Sequence, residues 1–218
     1  MIEYLDHLDK QLLLAMNNDY SNFWDGIVFG FSEKLTWVPL YIAIIFVMVR
    51  LWKKESIWLI AALILRVVLA DQIASGVIKN LVERLRPSQD PSLAGQVVLV
   101  RGMKSGLYGF VSSHAANSFA LALLSSLFLR NRLYTISIFV WAVINSYSRI
   151  YLGLHYPGDI LGGAIVGVSM ALLIYWLLKK IRPSLFDDFR AKEAIYRIPL
   201  WTFLVTCIAL TGYSIWFF

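Results

Sequence analysis

Along this chain, long apolar runs alternate with short polar ones. The apolar runs cover approximately residues 36–52, 57–78, 113–130, 132–148, 158–178 and 198–218. Each approaches the roughly 20 residues that a helix needs to cross a bilayer core. None alternates as a barrel strand would, and a backbone in lipid must satisfy its own hydrogen bonds, so the pattern predicts six transmembrane helices. Ahead of them, residues 2–16 place Ile2, Leu5, Leu12, Leu13 and Met16 on roughly one helical face, with Glu3, Asp6, Asp9 and Lys10 elsewhere. That spacing predicts an N-terminal amphipathic helix within residues 1–20, lying on the membrane surface or packed on the outer end of the protein itself. The expected fold class is an all-α integral membrane protein with residues 1–218 as a single domain.

Composition agrees with this class. The chain is 59% hydrophobic and 16% charged, against roughly 45–50% and about 25% in soluble proteins. The net charge of +6 raises the question of nucleic acid, but the basic residues sit in short clusters between apolar runs, so no nucleic-acid partner is expected. Arg50, Lys53 and Lys54, then Arg130 and Arg132, then Lys179, Lys180, Arg182, Arg190, Lys192 and Arg197 all fall on one side of a six-span topology. The positive-inside tendency makes that side the cytoplasm. The opposite side, periplasmic if this is an inner membrane, nevertheless carries Lys79, Arg84, Arg86, Arg101, Lys104 and Arg149. Binding of an anion would explain cations held against topology. The single cysteine, Cys207, leaves no intramolecular disulfide to form.

Three stretches on that outer side carry candidate chemistry. In Lys79-Asn-Leu-Val-Glu-Arg-Leu-Arg86-Pro87, Arg86 stands seven positions after Lys79, so both share a face if the helix continues to Pro87. A snorkelling basic flank with Glu83 paired to Lys79 is the structural alternative. In Val111-Ser112-Ser113-His114, hydroxyls and free amides at a helix start suit a phosphate, or simply cap the helix. In Ser148-Arg149-x5-His155-Tyr-Pro-Gly-Asp159, the carboxylate lies four residues after the imidazole and can orient it, or else favours the helix N-terminus.

Together and in this order, Lys-x6-Arg-Pro, Ser-x-His and Ser-Arg-x5-His-x3-Asp resemble the motifs of the type 2 phosphatidic acid phosphatase (PAP2) superfamily. That group includes membrane lipid phosphatases and glucose-6-phosphatase, and shares its site with vanadium haloperoxidases. The motifs span residues 79–159, and the six-helix plan matches nearly the whole chain. The resemblance implies a PAP2-like helical bundle in which Lys79, Arg86 and Arg149 clamp phosphate oxygens with Ser112, and Ser113, in place of the family's glycine, is expected to add a hydroxyl to the phosphate site. It implies His155 as nucleophile, Asp159 as its orienting partner and His114 as general acid for the leaving oxygen. Val111 and Ser113 stand where the family usually has proline and glycine.

The implied activity is a metal-independent phosphatase that removes a terminal phosphate from a lipid at the non-cytoplasmic face through a phosphohistidine. By resemblance, the candidate substrates are undecaprenyl diphosphate, phosphatidylglycerophosphate, phosphatidic acid and phosphorylated lipid A. No cofactor is expected, and a metal is disfavoured because the surrounding cations would repel it. A soluble sugar phosphate as substrate and a silent anion-binding or transport protein are the rival readings; the residues leave the oligomeric state open. Arg66 and Asp71 fall inside the second run, five residues apart on different faces, and are expected to pair with other helices. Gly158-x3-Gly162 and Gly163-x3-Gly167 predict close helix packing, and Trp37, Trp52, Trp58 and Trp201 fit interfacial belts.

Overall fold

The computed structural model describes residues 2–18, 21–103, 105–186 and 193–217. Lys104, Arg190 and Lys192, which enter the charge pattern above, lie outside them, as do the last residues of the N-terminal stretch. The elements are α1 (Ile2–Met16), α2 (Asn22–Ser32), α3 (Val38–Trp52), α4 (Ser56–Asp71), a π-helical stretch over Gln72–Ile78 and the short α5 (Lys79–Val82). After a long loop come α6 (Ser113–Leu129), α7 (Arg132–Tyr151), α8 (Pro157–Ile181) and α9 (Arg197–Phe217). The apolar runs coincide with α3, α4, α6, α7, α8 and α9. By length and apolarity, Lys34–Val82, Pro157–Ile181 and Arg197–Trp216 qualify to cross a membrane, and Ser113–Leu129 is a shorter apolar helix.

Local chemistry sets the ends. Pro39 opens α3, where a missing N–H costs nothing. The α3–α4 hairpin turns at Lys53, whose φ is 51°, and Ser56 Oγ donates to the Lys53 carbonyl at 2.6 Å. Asn131 caps α7 by accepting from the Tyr134 amide at 3.0 Å. Ser112 caps α6, its Oγ accepting from the Ala115 amide at 3.4 Å.

The central element is α6. Apolar, small and polar residues from Ala115 to Leu129 are buried around most of its circumference, as expected for a helix hydrophobic on all sides. It packs on α8, α7 and α4, while α9 lies against α2 and α3. The α6–α8 approach is set by glycine. A Cβ on Gly163 would meet the Ser112 carbonyl oxygen and Ala115, and one on Gly167 would meet the Ala116 carbonyl. Gly163→Ala is therefore expected to destabilise the detergent-solubilised protein by about 1–3 kcal/mol, read as a lower thermal midpoint. Gly212→Ala, whose Cβ would meet nothing within 4 Å, should leave the midpoint unchanged or raise it.

A large apolar core joins Trp37, Leu40, Leu124, Phe128, Tyr134 and Trp141. Trp37 and Trp141 meet edge to face at 5.8 Å, and the Trp37 indole donates to the Phe31 carbonyl at 2.7 Å. Trp37 is thus a core residue at 1% exposure, not part of an interfacial belt: the short helical turn Lys34–Trp37 tucks its ring inward. Trp58 and Trp201 remain exposed. So do Ile64, Leu161, Ile165 and Ile208 on the sides of the bundle, an apolar periphery suited to lipid.

The outer end departs from expectation at the Lys79 helix. The helix carrying Lys79 stops at Val82, because Glu83 adopts a left-handed conformation (φ 50°). Lys79 and Arg86 therefore do not share a helical face, and the chain has turned before Pro87. Beyond Glu83, Arg86 N–H donates to the Leu107 carbonyl at 3.0 Å and Gly109 N–H to the Arg84 carbonyl at 2.8 Å. These bonds pin the two ends of the long loop together over the bundle.

Of the two placements open to α1, the structure takes the outer end of the protein. The helix packs there through Leu13, which is fully buried with Ile150 and Tyr156 nearby. Asp6, Asp9 and Lys10 bind protein groups, while Tyr4, Leu5, Leu8 and Leu12 are exposed. Asn17 staples the helix end to two other segments. Its Nδ2 donates to the carbonyls of Val98 (2.9 Å) and Tyr151 (2.7 Å), and its Oδ1 accepts from Val98 N–H at 2.8 Å.

Candidate active site

The site forms where the outer ends of α5, α6, α7 and α8 meet beneath the long loop. His155 lies in the short connection between α7 and α8 and is 2% exposed. Its Nε2 lies 2.9 Å from Arg86 Nη1 and its Nδ1 3.2 Å from Asp159 Oδ2. A guanidinium only donates, so Nε2 accepts and Nδ1–H donates to the carboxylate. The arrangement fixes one neutral tautomer with its lone pair on the side of Arg86. Burial, followed by the charges of Arg86, Arg149 and Lys79, holds the His155 pKa well below the ordinary histidine value.

Asp159 is fully buried in the first turn of α8. Its Oδ2 also accepts from the Tyr156 amide at 3.0 Å, and its Oδ1 from Arg84 Nη1 at 3.1 Å. The carboxylate thus touches both the imidazole and the amide at the helix start. Its main-chain carbonyl accepts from Ser112 N–H at 2.9 Å, which ties the α8 start to the α6 start. Gly109 makes room for the carboxylate: a Cβ there would sit 2.9 Å from Asp159 Oδ2 and 3.3 Å from Arg86 Cγ.

The cations arrive from separate elements. Arg86 Nη1 also donates to the Leu154 carbonyl at 2.8 Å. Arg149, at the end of α7, donates through Nη1 to Ser32 Oγ of α2 at 2.5 Å. Lys79 donates to Ser113 Oγ at 3.1 Å, and Ser113 Oγ lies 2.6 Å from Ser75 Oγ. His114, in the first turn of α6, lies within electrostatic reach of Arg149, Lys34, His155 and Lys79. Ser112 is fully buried with its hydroxyl on the helix cap.

Among the described residues, neither Arg86 nor Arg149 forms an ion pair with a carboxylate. The Nε atoms of both are buried without a partner. Buried guanidiniums are costly without an anion. The geometry is that of an anion cradle with a neutral imidazole at its floor.

Sequence reasoning passed over the second layer. Arg84 binds Asp6 (2.9 Å), Asp9 (2.7 Å) and Asp159 (3.1 Å), and stacks over the Tyr156 ring at 4.0 Å. Burial opposes its charge, but Asp159 and Asp9 outweigh it and raise its pKa. Asp9 also accepts from the Gly158 amide at 2.7 Å, so α1 reaches the start of α8. Asp90 accepts from Tyr156 OH at 3.0 Å and pairs with Lys10 at 2.9 Å. Burial pushes the Asp90 pKa up, yet hydrogen bonds from Ser92 and Lys10 prevail and hold it at about 2. Ser75 carried a readable signal, standing four residues before Lys79 on the same helix. Asp9, 149 residues from Gly158, carried none.

A cavity of about 510 Å³ runs inward from Ser113 and His114. Its walls include Ile45 of α3 and Ile64, Val67 and Val68 of α4, all of them exposed on the side of the bundle. The cavity therefore reaches from Ser113 and His114, beside the cradle, to the apolar periphery.

The sequence profile of the PAP2 superfamily matches residues 55–183, more than half of the chain. A lipid A 4'-phosphatase of Bacteroides thetaiotaomicron is 41% identical over 190 residues, covering 86% of this chain and 84% of that protein. A lipid A 4'-phosphatase of Porphyromonas gingivalis is 35% identical over 175 residues, covering 80% and 74%. Among solved structures, a transmembrane PAP2 type phosphatidylglycerolphosphate phosphatase from Bacillus subtilis shares the fold with a TM-score of 0.61 at 21% identity, over 82% of this chain and 88% of that one. The motif residues that converge on the cradle lie inside the matched stretch, and on that footing the chain belongs to the PAP2 superfamily.

Proposed function

We propose that His155 attacks a lipid-borne phosphate held by Lys79, Arg86 and Arg149, and that the substrate is a lipid A type phosphomonoester. The chain is a membrane-embedded phosphatase, a hydrolase of the PAP2 family acting on lipid phosphate. What carries the finer reading is the pair of buried guanidiniums without carboxylate partners beside an imidazole held in its neutral Nδ1–H tautomer.

In this reading, the Arg86 and Arg149 donors turn to the equatorial phosphate oxygens, which frees the Nε2 lone pair for in-line attack. The Nε2–P bond forms as the P–O bond to the lipid breaks. His114 gives the leaving oxygen its proton, then takes one from the water that cleaves the phosphohistidine. The fixed cations stabilise the charge that develops on the phosphoryl oxygens. Lys79 arrives through Ser113, whose hydroxyl stands where the family usually has glycine, and Ser112 serves chiefly to hold the α6 start. An apolar cavity that runs from Ser113 and His114, beside the cradle, to the lateral periphery favours a lipid over a soluble sugar phosphate. Identity to two lipid A 4'-phosphatases supports that candidate substrate. With six spans and the clustered cytoplasmic bases, the cradle faces the periplasm from the inner membrane.

The test is phosphate release by the purified protein in EDTA, across lipid A, undecaprenyl diphosphate, phosphatidylglycerophosphate, phosphatidic acid and glucose 6-phosphate. Release from lipid A at least about tenfold faster than from the others is expected. A best rate on glucose 6-phosphate would overturn the lipid assignment, and loss of release in EDTA would overturn the metal-independent mechanism.

A further inference from the structure

Helix α1 turns a mostly polar face inward, the reverse of a helix that only covers apolar surface. Tyr4, Leu5, Leu8 and Leu12 are exposed, while Asp6, Asp9 and Lys10 are half-buried against the protein. Leu13 seats the helix, but its neighbours on that face are charged. Charges taken out of water need partners, and the partners of these lead to the catalytic pair.

Arg84 is the link. Its Nη1 carries two hydrogens and lies between two carboxylates, 2.7 Å from Asp9 Oδ2 of α1 and 3.1 Å from Asp159 Oδ1 of α8. Its Nη2 pairs with Asp6 at 2.9 Å, and the Tyr156 ring supports the guanidinium at 4.0 Å. The other oxygen of Asp159, Oδ2, takes His155 Nδ1–H and the Tyr156 amide. Rotation of the Asp159 carboxylate is thus set by where Arg84 stands, and Asp6 and Asp9 set where Arg84 stands. Asp9 has a second grip, because its Oδ1 accepts from the Gly158 amide at 2.7 Å, one residue before Asp159. A Cβ on Gly158 would lie 2.5 Å from Asp9 Oδ2 and 3.2 Å from its Cγ. The glycine that the sequence suggests for helix packing is what admits Asp9 to the start of α8.

We propose that Asp9 is a positioning residue of the active site, holding Arg84 and the Gly158 amide so that Asp159 keeps the His155 imidazole in its Nδ1–H tautomer. The proposal rests on the reading of His155 as the nucleophile. Among the described residues, no hydrogen bond of Lys79, Arg86 or Arg149 reaches α1. Loss of Asp9 should therefore lower kcat and spare KM.

The tautomer can be read without turnover. The chain has three histidines, His7, His114 and His155, so solid-state ¹⁵N spectra of the whole histidine-labelled protein in lipid bilayers resolve them, with His155→Gln assigning the signals. Wild type should show His155 protonated at Nδ1. Asp9→Asn, which keeps the shape and removes the charge, should move a large fraction to Nε2–H. It should also lower kcat on the best lipid phosphate by about 10–10²-fold, with KM within about twofold of wild type. Arg84→Lys should do the same, since an ammonium cannot bridge the carboxylates as a flat guanidinium does. Gly158→Ala, whose Cβ would displace Asp9, should reproduce the Asp9→Asn spectrum. A tether that only steadies the fold would lower the thermal midpoint and leave the histidine signals in place. An unchanged spectrum in Asp9→Asn would therefore overturn the proposal, as would a loss carried by KM. A shifted tautomer in Asp9→Asn, with no phosphate release by wild type, would sink the phosphatase reading and leave the Asp9 link standing.

Discussion

Replacing His155 with alanine is expected to lower turnover by on the order of 10⁴-fold or more, the scale seen when an attacking nucleophile is removed. The physical basis is the tautomer. In the resting site Nδ1–H is committed to Asp159 and Nε2 offers its lone pair. No other described side chain occupies that position with an unprotonated nitrogen. Single-turnover labelling with a ³²P-lipid should give an acid-labile phosphoprotein in the wild type and none in His155→Ala. An undiminished label in the variant would place the covalent bond elsewhere. The depressed His155 pKa adds a pH signature. A lowered pKa means that the neutral, nucleophilic form persists as pH falls through the ordinary histidine value near 6.5. The acid limb that the free enzyme contributes to kcat/KM should therefore lie below that value, and a free-enzyme limb centred on it would contradict the nucleophile assignment.

Asp159→Asn should cost about 10²–10⁴-fold in kcat, because an amide cannot satisfy both sides of the carboxylate site. Oδ2 accepts from His155 Nδ1 and the Tyr156 amide, and Oδ1 accepts from Arg84. If the asparagine oxygen faces His155, its NH₂ confronts the Arg84 guanidinium. If it faces Arg84, the NH₂ confronts Nδ1 and drives the proton to Nε2, which then meets Arg86 donor to donor. Either orientation costs the neutral Nδ1–H tautomer or the Arg84 contact that anchors α1. The measurement is kcat on the best lipid phosphate, with circular dichroism to confirm that the helices persist. A variant within threefold of wild type would show that the carboxylate does not orient the nucleophile.

The helices were legible because a bilayer demands long apolar runs, and the runs from residue 36 onward coincide with them. The 11-residue α2 was not: Asp25, Gly26 and Gly30 interrupt its apolar pattern, and it binds the site through Ser32 rather than through a motif. The end of the Lys79 helix was hidden because Glu83 takes the left-handed conformation without being glycine or asparagine, the residues that signal it. The His155–Asp159 pair was readable from its spacing, since i and i+4 groups meet across one turn. Arg84 was not, because one arginine among several looks like topology until its three carboxylate partners are assembled. The orientation of α1 could not be read from amphipathicity, since a periodic pattern marks two faces without saying which one the protein takes. Here Asp6 and Asp9 point inward to Arg84.

The wide turns of Gln72–Ile78 have a consequence for the phase of everything that follows. A π-helical stretch spends an extra residue on its turns, so the helix leaving it is rotated by about 100° relative to an uninterrupted α-helix. That rotation gives Lys79 its contact with Ser113, and it sets the heading from which the chain departs toward Arg84 and Arg86. The segment acts as a vernier between the membrane-embedded half of α4 and the catalytic end. Chain length can change there by one residue while either half keeps its own packing, but the azimuth at which Lys79 meets Ser113 changes with it.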